Sequence, residues 1–377
     1  MDTVDNRSLD RKRLLLFVAV TYGISYLMMI PIGIGKKNGI DPTQIVNAQM
    51  CSPAAAVALG FLLFHKGEKR IPKMFMTLLI INYSVQMILG LLTVFADPFG
   101  PDKAIDIAKL IGFSGDVSKV TGIPTTFYLS QLYFMAGQLF AGLGSILLWI
   151  SYFAAGAEKR EFAGLSRKNE IRGICLIMLF ALLYLGKVFI PGIIKGAFSN
   201  RLSEVLGNYS ALFEDPVYVA GFLSLPFKYP LTVIMFFGSE YGWRYFLQPV
   251  MQKKFGMRSG VILLGIAWGL WHLPIDLLVY TDDSIPQVIA VQIITCVSLG
   301  IFWGFAYLKT NNLWVPVCMH FLHENLIAVL SGNLSGMISQ NQHATWMQVL
   351  EILVLDLLVF CLFIFAREFK ENKNAGA

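Results

Sequence analysis

Ten stretches of about twenty mostly apolar residues recur along this 377-residue chain, and they constrain its fold more than any other feature. A helix needs about 20 apolar residues to cross a hydrocarbon layer about 30 Å thick. We therefore predict an all-α, polytopic integral membrane protein with about ten transmembrane helices. The predicted helices are residues 14–35, 44–64, 74–96, 127–154, 173–195, 216–237, 259–280, 287–308, 313–331 and 347–366.

The amino-acid composition supports this prediction. Apolar residues make up 56% of the chain and charged residues only 14%, whereas a soluble domain averages about 45–50% apolar and about 25% charged. No soluble core could hide this much apolar surface, because surface area does not fall fast enough with size. The composition therefore excludes a soluble globular enzyme, a disulfide scaffold and a disordered chain.

The distribution of charge predicts how the chain is oriented. The net charge is +6, and basic residues concentrate at the amino terminus, in loops 65–73 and 157–172, in segment 244–258, and in the tail. These segments fall on one side when ten helices alternate, and the acid-containing loop 97–125 falls on the other. The positive-inside rule then places both termini in the cytoplasm, and the short polar loops favour a bacterial plasma membrane. We expect a lipid bilayer rather than a nucleic acid as partner, because no Arg/aromatic nucleic-acid motif is present.

Candidate functional residues stand out against the apolar background. An ionisable group at mid-membrane costs at least about 2.5–3.5 kcal/mol and by default marks function. A first cluster lies at 238–244, at the predicted end of the sixth helix, where Glu240 and Arg244 are four residues apart. They share a face if the segment is helical. The pair is either an interfacial ion pair that closes the helix, or a carboxylate held by Arg244 as a metal ligand or proton acceptor.

A second candidate is His272, which lies inside the predicted seventh helix. A lone histidine there is more often hydrogen-bonded to a neighbouring helix than a metal ligand. Pro274 should free a backbone carbonyl near residue 270, because proline has no N–H. Gly265 and Gly269 should allow a partner helix to approach closely.

The third cluster lies in the predicted ninth helix. His320 and Glu324 are one turn apart on one face, and His323 and Asn325 lie next to Glu324. A hydrogen-bonded core histidine explains one of these polar groups but not the whole set. The cluster therefore predicts a functional site.

Together these clusters have the composition of a zinc site. Glu240, His272 and His320 would form a His₂Glu ligand set. Such a metal would polarise a peptide carbonyl and lower the pKa of a bound water. A nearby carboxylate would accept the proton of the water, and Asn325 or His323 could donate to the oxyanion. Spacing alone does not distinguish this metal site from a buried proton site.

Three motifs in the same region resemble those of the CPBP family of intramembrane proteases. This family includes the type II CAAX prenyl endopeptidases and bacterial bacteriocin-processing or immunity homologues. Its motif E-E-x-G-W-R-x-x-L-Q-P is similar to residues 239–249, and its F-x-x-x-H motif is similar to residues 268–272. Its H-x-x-x-N/D motif is approximated by residues 320–324, with Asn325 one place late. The resemblance covers about residues 216–330, and the motifs occur in the family's order.

The resemblance implies an intramembrane endopeptidase. Such an enzyme would cut a peptide or protein substrate near the cytoplasmic face, using either zinc or a glutamate-activated water. The first motif carries over to Glu240 and Arg244, the second to His272 and the third to His320. The two histidines would bind metal or water, and Glu240 would be the supporting carboxylate positioned by Arg244.

Two residues depart from the family pattern. Ser239 stands where the family has its first glutamate, and a serine cannot act as a general base at neutral pH. Glu324 stands in place of Asn or Asp, so an ionised side chain there can accept but cannot donate a hydrogen bond. The chain is therefore an impaired protease, a variant in which Glu240 takes over, or a non-catalytic scaffold or immunity protein of the same fold.

These observations predict three regions. Residues 1–215 hold helices 1–5 and their outer loops, residues 216–331 form the catalytic helix core, and residues 332–377 hold the last helix and the tail. A proton- or ion-coupled transporter would also place Glu and His at mid-membrane. It is the weaker alternative, because the sequence lacks the internal repeat typical of such transporters.

Overall fold

A computed structural model describes residues 2–65, 67–96, 105–110, 126–332 and 340–370. Two short strands, β1 (Ile105–Asp106) and β2 (Thr126–Phe127), pair antiparallel. The helices are α1 (Asp2–Val18), α2 (Ser25–Leu27), α3 (Met29–Lys37), α4 (Thr43–Phe64), α5 (Lys73–Ala96), α6 (Ile107–Leu110), α7 (Leu129–Ala154), α8 (Ala157–Phe162), α9 (Glu170–Phe198), α10 (Leu202–Glu214), α11 (Pro216–Glu240), α12 (Gln248–Phe255), α13 (Met257–Trp271), α14 (Leu273–Ile275), α15 (Ile285–Thr310), α16 (Trp314–Leu330) and α17 (Trp346–Val359). Three π-helical segments continue helices at Ala19–Ile24, Tyr241–Leu247 and Asp276–Tyr280, and 3₁₀ turns follow at Cys361–Phe365 and Arg367–Phe369.

The described helices confirm the all-α membrane prediction. Eight of them are long and apolar enough to cross a membrane, judged by length and composition. They are Leu9–Lys37, Thr43–Phe64, Lys73–Ala96, Leu129–Ala154, Glu170–Phe198, Pro216–Phe255, Met257–Tyr280 and Ile285–Thr310. The other two predicted segments form the shorter helices α16 and α17, of 17 and 14 residues. Most of the acid-containing loop 97–125 lies outside the described residues.

One predicted helix end is wrong. The sixth helix does not stop near residue 237, because α11, the π segment Tyr241–Leu247 and α12 form one rod over Pro216–Phe255. The π segment keeps the backbone hydrogen-bonded while it accommodates one extra residue in the turn, a feature frequent at functional sites. Glu240 and Arg244 therefore lie within a continuous helical rod and are fully buried, so their ion pair does not close a helix end.

Helix α4 packs directly against this rod at the glycines of the first motif. A Cβ on Gly238 would come within 2.8 Å of the Cα of Cys51, and one on Gly242 within 2.2 Å of the Cβ of Pro53. Real Cβ atoms do not approach other atoms this closely. Small residues at these two positions therefore allow the two backbones to approach and set the depth at which Glu240 is buried.

Helix α13 packs against α15 in the same way. A Cβ on Gly265 would lie 2.5 Å from the Cα of Val297, and one on Gly269 would lie 3.0 Å from the Cα of Ile293. This confirms the predicted close approach at these glycines. The contact brings the second motif, at the end of α13, against the middle of α15.

Candidate active site

The centre of the site is a buried carboxylate held by a cation and an imidazole. Arg244 Nε donates a 2.8 Å hydrogen bond to Glu240 Oε2, which confirms that the two residues share a helical face. The Nδ1 of His320, on α16, lies 2.9 Å from Glu240 Oε1. The exposed fraction of Glu240 and of Arg244 is 0%. The fold thus joins the first and third motifs, which are 80 residues apart in sequence, through both oxygens of one carboxylate.

Arg244 is held by more than its ion pair. Its Nη1 donates to the carbonyl of Gly300 at 3.3 Å, and its guanidinium lies 5.4 Å from the ring centre of Trp268 and 5.7 Å from that of Trp303. Aromatic faces stabilise a cation electrostatically, and more strongly where water is excluded. Helices α13 and α15 therefore both help to position the arginine and, through it, Glu240.

His320 is fixed in one orientation by its aromatic neighbours. The rings of Phe236, Trp268 and Trp303 lie with their centres 5.4, 5.8 and 5.0 Å from its ring centre. A carboxylate can only accept, so the contact with Glu240 requires the hydrogen on Nδ1. A neutral His320 then presents a lone pair at Nε2, and this atom lies 4.0 Å from Glu324 Oε1.

His272 lies at the break between α13 and α14. Its Nδ1 donates to the carbonyl of Trp268 at 3.0 Å, because a carbonyl cannot donate. Its Nε2 is then the free lone-pair atom of the neutral ring. The indole of Trp268 contacts both histidine rings, with centres 6.0 Å from that of His272 and 5.8 Å from that of His320. The fold thus brings His272 of the second motif and His320 of the third motif against the same tryptophan ring, that of Trp268.

Glu324 differs from Glu240 in its access to the surroundings. Its side chain is 51% exposed, and its Oε1 lies 3.8 Å from His323 Nε2 as well as 4.0 Å from His320 Nε2. His323 packs edge-on against Tyr184 of α9. The predicted grouping of His320, His323 and Glu324 on one face of a helix is confirmed.

The remaining two predicted site residues are oriented differently. Ser239 is 1% exposed, and no hydrogen-bond partner among the described residues reaches its hydroxyl oxygen. Asn325 donates its amide to the carbonyl of Phe321 on its own helix, at 2.9 Å. It lines a cavity of about 350 Å³ between α11 and α16 that also holds Lys228. No hydrogen bond or ion pair among the described residues connects Asn325 or Ser239 to the carboxylate cluster.

The predicted zinc ligands do not form a metal site in this arrangement. Both oxygens of Glu240 are already engaged, one by Arg244 and the other by His320 Nδ1. Within the described residues, no group of three or more His, Cys, Asp and Glu side chains is placed to hold a metal ion. The donor arrangement therefore does not fit a His₂Glu zinc ion, and the zinc assignment stays a prediction from sequence.

Four further ionisable residues lie in the apolar segments and were missed by the sequence analysis. Lys187 of α9, which is half-buried, forms an ion pair with the buried Asp356 of α17. Asp276 is fully buried, and neither of its carboxylate oxygens has a hydrogen-bond partner among the described residues. Lys228 lines the cavity beside Asn325. The signal for all four was the cost of an ionisable group at membrane depth, the same criterion that selected Glu240.

Comparison with known proteins identifies the region that carries this site. Residues 221–326 match the family model of the type II CAAX prenyl endopeptidase Rce1-like proteins. The match includes Ser239, Glu240, Arg244, His272 and the His320–Asn325 cluster, and it covers less than a third of the chain. No curated protein and no solved structure gives a significant match to the chain. The match confirms the resemblance that the three motifs indicate, and with the apolar helices it identifies an integral membrane protein with a domain of a protease family.

Proposed function

We propose that this membrane protein, with its Rce1-like domain at residues 221–326, is an intramembrane endopeptidase that hydrolyses a peptide bond with a water bound at His320. The observation that carries the proposal is the buried Glu240, whose two oxygens hold Arg244 and His320. Taking such charges out of water costs several kcal/mol per ion. A cluster of this kind in an apolar segment therefore supports a chemical role rather than packing alone.

Glu240 acts as a positioning residue in this mechanism. Its carboxylate fixes the hydrogen of His320 on Nδ1 and so directs the Nε2 lone pair away from the buried core. A water that donates a hydrogen bond to Nε2 would be oriented for attack on a substrate carbonyl. Glu240 does not meet this water itself, because both of its oxygens are engaged and its exposed fraction is 0%.

The two other histidines supply the remaining polar groups. His272 presents its Nε2 lone pair, since its Nδ1 donates to Trp268, and we assign it as a second water-binding group. His323 is the proposed donor to the developing oxyanion. It replaces Asn325 in this role, because the amide of Asn325 is taken by Phe321. A donor at this point stabilises the negative charge of the tetrahedral intermediate.

The proposed substrate is a membrane-associated peptide or protein. The name of the matching family suggests chains that end in a prenylated C-a-a-X sequence. A bacterial plasma membrane, both termini in the cytoplasm and cleavage near the cytoplasmic face remain part of this proposal. They are supported by the basic loops at 65–73 and 157–172.

Ser239 supports a second candidate function. A buried hydroxyl with no hydrogen-bond partner among the described residues stands where the family has a glutamate, while Glu240, Arg244, His272 and His320 are present. A protein that kept the fold but lost hydrolysis would act as a membrane scaffold or an immunity protein. The two functions predict opposite results in a cleavage assay.

The test is cleavage of a peptide library, including farnesylated C-a-a-X peptides, by the purified chain in detergent. We expect cleavage by the natural chain, faster cleavage by Ser239→Glu, and none by His320→Ala. His343→Ala is the matched control, because His343 is an exposed histidine outside the site. If neither the natural chain nor a folded Ser239→Glu variant cleaves any peptide, and the protein binds a partner, the scaffold function is established.

Metal content tests the zinc prediction separately. With Glu240 engaged by Arg244 and His320, we expect less than about 0.1 metal ion per purified chain, since zinc sites normally bind tightly enough to survive purification. About one zinc per chain in the natural protein, lost in both His272→Ala and His320→Ala, would restore the His₂Glu assignment.

A further inference from the structure

We propose that Glu324 accepts the proton of the attacking water, so that α16 supplies the carboxylate that is missing at residue 239. The inference rests on the proposed function and names the group that performs its central step. It assigns a catalytic role to a residue that replaces the Asn or Asp of the third motif. The proton acceptor must be a carboxylate near His320 that a water can reach.

The first candidate, Glu240, cannot take up this proton where it lies. Arg244 occupies Oε2 and His320 occupies Oε1, and neither oxygen is accessible. Protonating Glu240 would also break the ion pair and leave the guanidinium of Arg244 buried without its counter-charge, which is strongly unfavourable. Glu240 therefore remains an ionised positioning residue throughout the reaction.

Ser239, the residue before Glu240, cannot serve as the proton acceptor either. A serine hydroxyl is not a base at neutral pH, so Ser239 cannot take up the proton of the water. The first motif thus keeps its positioning carboxylate and contains no second carboxylate. If the chain hydrolyses peptides, the proton acceptor must come from another element.

Asp276 is the next carboxylate to consider. It lies one turn after His272, since its backbone N–H donates to the His272 carbonyl at 3.0 Å. Its side chain is fully buried, however, and the neighbouring residues Ile275 and Val279 belong to a small buried apolar cluster. A water bound at the Nε2 of His320 is not expected to reach a carboxylate that is closed off in this way.

Glu324 meets the requirements that the other three residues fail. Half of its side chain is accessible, and its Oε1 lies 4.0 Å from His320 Nε2 and 3.8 Å from His323 Nε2. None of the hydrogen bonds among the described residues uses its carboxylate, so both oxygens are free to accept. One water can sit within hydrogen-bond distance of both His320 Nε2 and Glu324 Oε1, because two contacts of about 2.8 Å span a separation of 4.0 Å.

The hydrolysis balances with these groups. The water oxygen forms a bond to the scissile carbonyl carbon while one of its protons moves to the Glu324 carboxylate. When the carbon–nitrogen bond breaks, the leaving nitrogen takes that proton and departs as an amine. The other product is a new carboxyl terminus, and Glu324 is returned to its ionised form, with no oxidant, reductant or metal consumed.

The test is a double-mutant cycle between residues 239 and 324, with kcat/KM measured on a peptide that the chain cleaves. Positioned acid–base catalysis contributes about 10²–10⁴-fold, so Glu324→Gln should lower kcat/KM by about 100-fold or more in the natural chain. In the Ser239→Glu background the same substitution should cost far less, because a carboxylate is again present in the first motif. Glu351→Gln is the matched control, since Glu351 is an exposed carboxylate of α17.

The possible results separate the explanations. An equal loss from Glu324→Gln in both backgrounds, or no loss in the natural chain, would overturn the proposal. So would a natural chain inactivated by Asp276→Asn but not by Glu324→Gln. Unfolding midpoints, measured for every variant, exclude a folding defect. If neither the natural chain nor Ser239→Glu cleaves any peptide, the proposed function itself is contradicted and Glu324 loses its catalytic assignment with it.

Discussion

At the scale of single residues, Glu240 and Arg244 show how a membrane segment can hold two charges. Each of them is fully buried, and each has partners on another helix: His320 for the glutamate, and Gly300 with two tryptophans for the arginine. Replacing a buried pair by apolar residues is often neutral, whereas removing one partner is costly. The stability of the site should therefore depend on the pairing rather than on either charge.

Single and double substitutions of the Glu240–Arg244 pair should therefore affect stability differently. Arg244→Ala should lower the free energy of unfolding by about 3–5 kcal/mol, because it leaves the Glu240 carboxylate buried and uncompensated. The double variant Glu240→Gln, Arg244→Met should recover most of that loss and still be inactive. Thermal unfolding in detergent, followed by peptide cleavage, measures both effects. Equal thermal stability of Arg244→Ala and the natural chain would show that the Glu240–Arg244 ion pair does not stabilise the site.

A second prediction concerns a pair outside the membrane-spanning segments. His343 Nδ1 lies 3.2 Å from the carboxylate of Asp283, and this hydrogen bond, followed by one with Ser284, lowers the pKa of Asp283. A depressed acid pKa stabilises the fold above the unfolded value of about 3.9, and this contribution is lost as the pH falls through the folded pKa. His343→Gln should therefore raise the pKa of Asp283 in an NMR titration of labelled aspartates. An unchanged titration would show that His343 does not hold this carboxyl.

At the scale of elements, the break between α13 and α14 places His272. Pro274 has no N–H for the carbonyl of Leu270, and the hydroxyl of Tyr26 donates to that carbonyl at 2.7 Å. The carbonyl that the sequence predicts to be free near residue 270 is thus satisfied from the first helical rod. Tyr22 makes a similar 2.8 Å bond to Ala267, a carbonyl that lies within the regular part of α13.

The two tyrosines form a matched pair for testing this role. Tyr26→Phe should destabilise the fold by about 1–3 kcal/mol, because it leaves a backbone carbonyl unsatisfied. Tyr22→Phe should cost less, since Ala267 keeps the backbone partner of an ordinary helical turn. Unfolding of both variants under the same conditions gives the comparison. A larger effect for Tyr22→Phe would contradict the role assigned to Tyr26 at the proline break.

At the scale of the whole molecule, the sequence predicts which segments are helical, because hydropathy controls this. It does not predict which side chains pair across helices, because tertiary packing controls that. The ten apolar segments are all helical, because a membrane leaves the backbone few other ways to satisfy its hydrogen bonds. Glu240, His320 and Glu324 could be identified as candidate site residues, because an ionisable side chain at membrane depth carries a free-energy cost. Their pairing could not, because Glu240 and His320 are 80 residues apart.

Two errors in the sequence analysis have the same physical origin. The rod Pro216–Phe255 continues through a π segment, and no local sequence signal near residue 238 predicts that the helix continues there. The pair Lys187–Asp356 joins helices 169 residues apart, and each residue alone is only one charge in an apolar run. Long-range packing decides both features, whereas hydropathy and spacing report only on local segments.

Hydrolysis in H₂¹⁸O tests most directly whether the buried site activates water. The natural chain, Ser239→Glu and His320→Ala are incubated with the same peptides, and the products are analysed by mass spectrometry. We predict an ¹⁸O atom in the new carboxyl terminus of the product from the first two proteins and no product from His320→Ala. Equal cleavage by His320→Ala, or no cleavage by either the natural chain or a folded Ser239→Glu protein, would contradict a hydrolytic site built on Glu240 and His320.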